Sequence, residues 1–289
     1  LIAPRENAKN EDREQQRRAT MEPVFSATGL VQRVLLWGPV VVSAGLAALA
    51  VRLAGESPAT AIGLLVLSAS AFLPALLARR RFRRMLQSGD PILISALWRT
   101  ALEGTPHSQA TEALMNALTF AACGWVDEAR MHLGRASRGT VWDPAGEHRL
   151  IVETLLEAFD GDRSLAVRLA ERFAALPLPA GGARVRREVV ALRVSMGALA
   201  RAFAHESISG DLEALERAAR SSPLVSWAMR YAAAIVSVDH DQPERALAML
   251  EGAPHWPPQS AFRAFHRELV LHIARSTPKA SAHHGDVQP

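Results

Sequence analysis

Few side chains in this sequence have the type and spacing that chemistry needs. There is one cysteine, Cys123, among 289 residues. A cysteine becomes a nucleophile when a nearby base or cation favours its thiolate. Cys123 directly precedes Gly124 and has no local histidine partner, so a core role is expected. A single cysteine also excludes an intrachain disulfide and any cysteine-based metal spacing. His266 and His272 stand six apart on one predicted helix, which places them on different faces. His132, His148, His205, His240 and His255 are scattered, whereas a metal site needs a matched ligand set. His283-His284 falls in a polar tail, where adventitious metal binding is the most to expect. The acids Asp127-Glu128 and Asp160/Asp162 sit at predicted helix starts, where the positive helix end accounts for them. There is no phosphate-binding glycine loop, since Gly181-Gly182 follows prolines and reads as a linker, and no H-E-x-x-H. The expectation is no catalytic residue, no metal and no cofactor.

The elements that would position any site are helices. Aromatic residues are scarce, alanine, leucine and arginine abound, and long β-branched runs are few outside one apolar region, a balance that favours helix over strand. Proline suits the first helical turn behind a capping residue, and Asp90-Pro91, Asp143-Pro144 and Ser222-Pro223 follow that pattern. Helices are predicted near 91–103, 108–122, 125–137, 144–159, 162–175, 183–204, 211–220, 223–238, 243–251 and 258–275. The loop 176–182 is the clearest break among them.

The apolar region lies between residues 33 and 84. No charged side chain occurs between Arg33 and Arg52, nor between Glu56 and Arg79. About 20 apolar residues cross a hydrocarbon core as a helix, so a transmembrane hairpin is expected, with spans at about 34–52 and 58–78. Neither span holds an acid, lysine or histidine, which argues against an ion path. Arg33 flanks the first span and Arg79, Arg80, Arg81, Arg83 and Arg84 follow the second. By the bias of arginine toward cytoplasmic flanks, both termini are expected in the cytoplasm and the protein in a bacterial inner membrane. Residues 85–289 carry 21 basic and 23 acidic groups, so the basicity resides beside the apolar region. Anionic lipid headgroups are expected to meet it there, and the basic stripe of a nucleic-acid binder is missing from the rest. Residues 1–32 read as disordered, with Met21 as a plausible natural start, and 276–289 as a disordered tail.

One block recurs between 90 and 275. Its best copy is ALMNALTFAACGWVDEARMHLGRA, residues 113–136. Ala117 and Phe120 face the second helix, Gly124 turns the chain, and Ala129, Leu133 and Ala136 take the packing positions that follow. A second copy spans 231–257, with Ala234, Ala246, Leu250 and Ala253 in register and Asp241 in place of the turn glycine. Residues 160–177 and 209–223 look like the second helices of two further copies. The block resembles a tetratricopeptide repeat over roughly residues 108–258. The turn markers Gly124, Gly161, Gly210 and Asp241 are unevenly spaced, so a generic α-solenoid or a compact helical bundle stays open. The fold class expected is all-α: a transmembrane helical hairpin at 33–84, then an α-solenoid of degenerate tetratricopeptide-like helix pairs at 90–275.

The resemblance implies a concave surface that binds a peptide or protein, and a scaffold or adaptor rather than a catalyst. The alternatives are a membrane-bound enzyme or enzyme subunit, and a hairpin that oligomerises under control of the helical domain. Small residues such as Ser43, Ala47, Gly63 and Ser70 make homo-oligomerisation possible. Candidate partner-binding residues are Arg184, Arg186 and Arg187, clustered at a helix start where the dipole disfavours them, and the large aromatics Trp125 and Trp256. Trp227 is the third tryptophan of the array, and core packing is the ordinary fate of all three.

Overall fold

The computed structural model describes residues 58–103, 108–138, 146–179 and 182–276, together with Arg52. All regular structure among them is helical. The chain divides into two compact units, Leu1–Arg81 and Phe82–Pro289. The expected disordered segment 1–32 and residues 277–289 of the expected tail lie outside the described residues, while Ser276 is the last residue of a helix.

In the first unit the described structure is one helix, α1 (Pro58–Leu86), whose last turn belongs to the second unit. Here the membrane hairpin is corrected. The first expected span, 34–52, lies outside the described residues apart from Arg52. The second falls on α1, and among the described residues no helix is long and apolar enough to cross a membrane. Instead of ending at Ala78, α1 runs on through Arg79–Arg84 to Leu86, which makes its C-terminal turns strongly basic. Thr60, Gly63, Ser68 and Ser70 interrupt the apolar residues before them. The location drawn from that hairpin, multi-pass in an inner membrane with both termini in the cytoplasm, is overturned with it.

The second unit adds α2 (Pro91–Leu102), α3 (Ser108–Ala122), α4 (Val126–Ala136), α5 (Gly146–Asp160), α6 (Arg163–Ala175), α7 (Ala183–Ala204), α8 (Asp211–Ser221), α9 (Ser226–Asp239), α10 (Pro243–Leu250) and α11 (Ala261–Ser276). These ten occupy the ten expected places. Capping explains several boundaries. Asp90 accepts hydrogen bonds from the amides of Ile92 and Leu93 at 3.0 and 3.2 Å, with Pro91 in the first turn of α2. Asp162 does the same for Ser164 and Leu165 at 2.9 and 3.2 Å. Each cap satisfies amides that the first helical turn leaves without partners.

Packing alternates in a regular way. Each helix from α3 to α10 packs on the next, and α3, α5, α7 and α9 also pack on one another in series. These four form the inner layer, and α4, α6, α8 and α10 lie outside it. Alanines occupy the close contacts: Ala117, Ala129, Ala166, Ala202, Ala234 and Ala246 are all fully buried. A small side chain there lets two helix axes approach without a wedge between them. The turns inside the first and last pairs need a left-handed residue. Gly124 supplies it between α3 and α4 at φ +75°, and Asp241 between α9 and α10 at φ +55°. Asparagine and aspartate tolerate this region better than most L-residues, which is how Asp241 stands in for glycine.

Two glycine substitutions separate the roles of backbone and space. In Gly124→Ala the new Cβ lies 2.9 Å from Ser260 Oγ at a positive φ, so a loss of at least about 1 kcal/mol is expected from the backbone alone. Gly134→Ala, inside α4 with open space around it, should stabilise by about 0.5–1 kcal/mol. Urea unfolding followed by circular dichroism checks both.

Candidate functional site

The most concentrated set of specific contacts lies where the chain's last segment meets the inner helices. After α10 ends, residues 251–260 carry the chain back to the first helix pair. Ser260 Oγ donates to Cys123 O at 2.8 Å, and the amide of Ala261 donates to Gly124 O at 2.8 Å. The left-handed turn at Gly124 is therefore also a landing point for the start of α11. Upstream, Gly89 leaves room for the indole of Trp256, whose ring lies 2.7 Å from where a Cβ would stand.

From that landing point α11 runs past a row of aromatic side chains, one from each of three successive inner helices. Phe159 of α5 meets Phe262 and Phe265 at centroid distances of 5.3 and 5.9 Å. Phe203 of α7 meets Phe265 at 5.2 Å. Tyr231 of α9 stacks on Phe262 at 4.8 Å. Trp256 adds an edge contact to Phe262 at 4.9 Å. Phe262, Phe265, Leu269 and Ile273 recur at helical spacing, which turns one face of α11 to this row.

A hydrogen-bond chain runs through the same place. Trp256 Nε1 donates to Tyr231 Oη at 2.7 Å. Tyr231 Oη lies 3.1 Å from His266 Nδ1. An indole N–H can only donate, so the tyrosine oxygen accepts there, and its own proton reaches His266 Nδ1 in the tautomer that leaves that nitrogen unprotonated. Burial raises the Tyr231 pKa above its ordinary value, which keeps that proton in place.

Two clefts flank α11. One, of about 880 Å³, lies on the side of Gly124, with Asp127 and Asp160 facing the same space as Arg263 and Arg267. The other, of about 450 Å³, has an apolar floor that includes Phe203, Ile235, Val238 and Leu269, with Arg163, His205, Asp239, Glu268 and His272 also lining it. His205 Nδ1 lies 3.1 and 3.0 Å from the two oxygens of Asp239 and donates to that carboxylate. A histidine oriented in this way has the form of a general base. No serine, threonine or cysteine lines that cleft, and Ser260, in the other, is committed to Cys123 O. Among the described residues of the two clefts, no serine, threonine or cysteine is hydrogen-bonded to a histidine or carboxylate. Among the described residues no cluster of three or more histidines, cysteines or acids has the geometry of a metal site.

Cys123 is buried, and desolvation, followed by the nearby Asp90 charge, pushes its thiol up to about 12. Trp256 is only 4 % exposed and belongs to the aromatic cluster. Trp125 is half-buried beside Phe120 at 5.8 Å, and its indole nitrogen is enclosed without a hydrogen-bond partner. Trp227 is buried and donates to Gln87 O at 2.8 Å. Arg184, Arg186 and Arg187 are exposed on the first turns of α7. Arg184 pairs with Glu188 at 2.9 Å, and Arg187 donates to Ala183 O at 3.2 Å. The structure does not bring these arginines to the aromatic row. Of the hairpin-flanking arginines, Arg33 lies outside the described residues, Arg79 lies within α1, and Arg80, Arg81, Arg83 and Arg84 are exposed. Arg83 also donates to Arg220 O. The residues that sequence reasoning passed over are Phe159, Phe203, Tyr231, Phe262 and Phe265, and His266 was weighed only as a metal ligand with His272. The spacing Phe262, Phe265, His266, Leu269 was a visible signal of a helix face, but its counterpart is scattered over three distant helices.

Comparison with known protein families, with characterised proteins and with solved structures gives no match. What the site does must be argued from its own geometry.

Two measurements test the chemistry assigned here. Tyr231→Phe removes the acceptor of a buried indole N–H, so a loss of about 1–3 kcal/mol is expected, read as a lower denaturation midpoint. Cys123 should resist thiol-specific reagents at neutral pH in the folded chain and react fully in denaturant. Rapid labelling without denaturant would contradict the buried, protonated thiol.

Proposed function

We propose that this chain is a protein-interaction module, a scaffold or adaptor built on a tetratricopeptide-like array in which α3–α10 make four helix pairs of an α-solenoid. The observation that carries the reading is the alternating packing, in which an inner series of helices is backed by an outer one with alanine at the contacts. An array of this kind stacks each pair only on its neighbours and displays long surfaces to partners.

The partner-facing surface in this reading is the start of α7. Residues 182–188 are all exposed, and Val185, Val190 and Val194 sit in solvent among Arg184, Arg186 and Arg187. Apolar side chains edged by arginine suit a partner that brings acidic groups to an apolar patch. The exposed arginines of α1 are a second basic surface, to which anionic groups, including lipid headgroups, are the complementary ligands. Self-association through either surface belongs to the same reading.

Site-specific photo-crosslinking from positions 185, 190 and 194 of the full chain, in its own cells, tests the proposal. Crosslinks to one defined protein are expected. They should fall at least tenfold in the Arg184→Glu/Arg187→Glu variant, whose melting temperature should hardly move because exposed ion pairs contribute only about 0–1 kcal/mol. Diffuse crosslinking that ignores the charge reversal would reject the reading.

A further inference from the structure

The segment that fills the inner face interrupts the regular succession of helix pairs. Between Leu250 and Ala261 the chain runs without a helix. It crosses back to the Gly124 turn, with Pro254, Pro257 and Pro258 on the way, and only then begins α11. The surface that α11 covers comes from different parts of the chain, and the contact has the features of ligand and receptor. Phe262 and Phe265 meet one aromatic from each of α5, α7 and α9. His266 Nδ1 lies within hydrogen-bond distance of Tyr231 Oη, at 3.1 Å. Side chains of both signs line the groove. Arg263 and Arg267 of α11 share the larger cleft with Asp127 and Asp160 of the array. Glu268 shares the smaller cleft with Arg163 and His205.

We propose that residues 253–276 are an intramolecular ligand, and that the groove they occupy accepts from other proteins an amphipathic helix of the same pattern: phenylalanine at i and i+3, apolar residues at i+7 and i+11, basic residues at i+1 and i+5, and an acid at i+6. This rests on the reading of α3–α10 as an interaction array and names the partner class of its inner face. Helix-in-groove recognition is read through anchors at this spacing. A partner binds by displacing α11, so its apparent affinity is reduced by the fraction of chains in which the groove is closed. The turn at Glu251–Gly252, exposed and with open space around Gly252, is the hinge about which the segment leaves. The two clefts are the places where the cis helix fills the groove least.

The test uses the full chain with a specific protease site inserted between Glu251 and Gly252, and a fluorescent synthetic peptide of residues 253–276. After cleavage the labelled peptide should exchange into the groove and bind at least tenfold more tightly than to the uncut chain. A peptide carrying Phe262→Ala and Phe265→Ala should not bind. The cleaved chain should keep most of its helical signal while its own segment is absent. Loss of that signal as the segment leaves, or a segment that never exchanges, would make α11 an ordinary part of the core and overturn the proposal. Hydrogen exchange on the unmodified chain is the second measurement: amides of α11 should exchange at least tenfold faster than those of α9, and equal protection would also overturn it. Neither assay needs a cellular partner, so their failure leaves the crosslinking test at α7 standing on its own.

Discussion

Helix α9 has almost no side to give to water. Ten of its 14 residues are buried, and α7, α8, α10 and α11 all pack against it. A helix that is apolar nearly all round must be enclosed by other elements, and the second unit is arranged to do that. The paired helices cover most of α9, and the remaining side, which bears Tyr231, is closed by α11 and Trp256. The path of the last segment follows from this need as much as from its own sequence.

A buried polar group without a partner costs about 1–3 kcal/mol, and most of the polar groups enclosed here find one within the chain, Trp125 Nε1 and Arg193 Nε being exceptions. Ser226 donates to Ala219 O at 2.9 Å and Ser237 to Ala233 O at 2.8 Å. Asp211, almost fully buried, takes both arms of Arg201 at 2.9 and 2.5 Å and joins α7 to α8. The hydrogen bond to that carboxylate raises the Arg201 pKa. Arg193, also buried, donates to Leu176 O and Pro177 O at 2.5 and 3.0 Å and to Glu147 at 2.6 Å. It fastens the end of α6 and the start of α5 to α7. Breaking a buried pair by removing one partner is costly because the other charge remains. These contacts fix the order in which the helices stack.

The same enclosure shapes the functional reading. An array whose inner face lay open would offer it directly to partners. Here that face holds the chain's own aromatic helix, and the surface left in solvent is the protruding start of α7 with its arginines and valines. The fold thus separates an occupied apolar groove from a basic outer surface. In the function proposed above, interaction through either would draw on different chemistry, aromatic and shape-dependent in the groove, electrostatic and salt-sensitive on α7.

The local rules written into the sequence carried far. Capping residues, prolines and apolar period located ten helices, because those signals act within a turn or two of chain and need no distant partner. The alanine register of 113–136 and 231–257 marked close helix contacts for the same reason, and the isolated Cys123 read as a core thiol. Charge and hydropathy misled in one place. An uncharged stretch of suitable length suggested a membrane span at 58–78, but length and lack of charge do not say where a helix stops, and α1 runs on through its arginines. Only the tertiary structure decided what covers the inner face. Phe159, Phe203 and Tyr231 are separated by some 70 residues of chain, and no periodicity links them to Phe262 and Phe265. Their meeting depends on the summed rotations of successive helix pairs, a property of the whole stack that no single stretch of sequence contains.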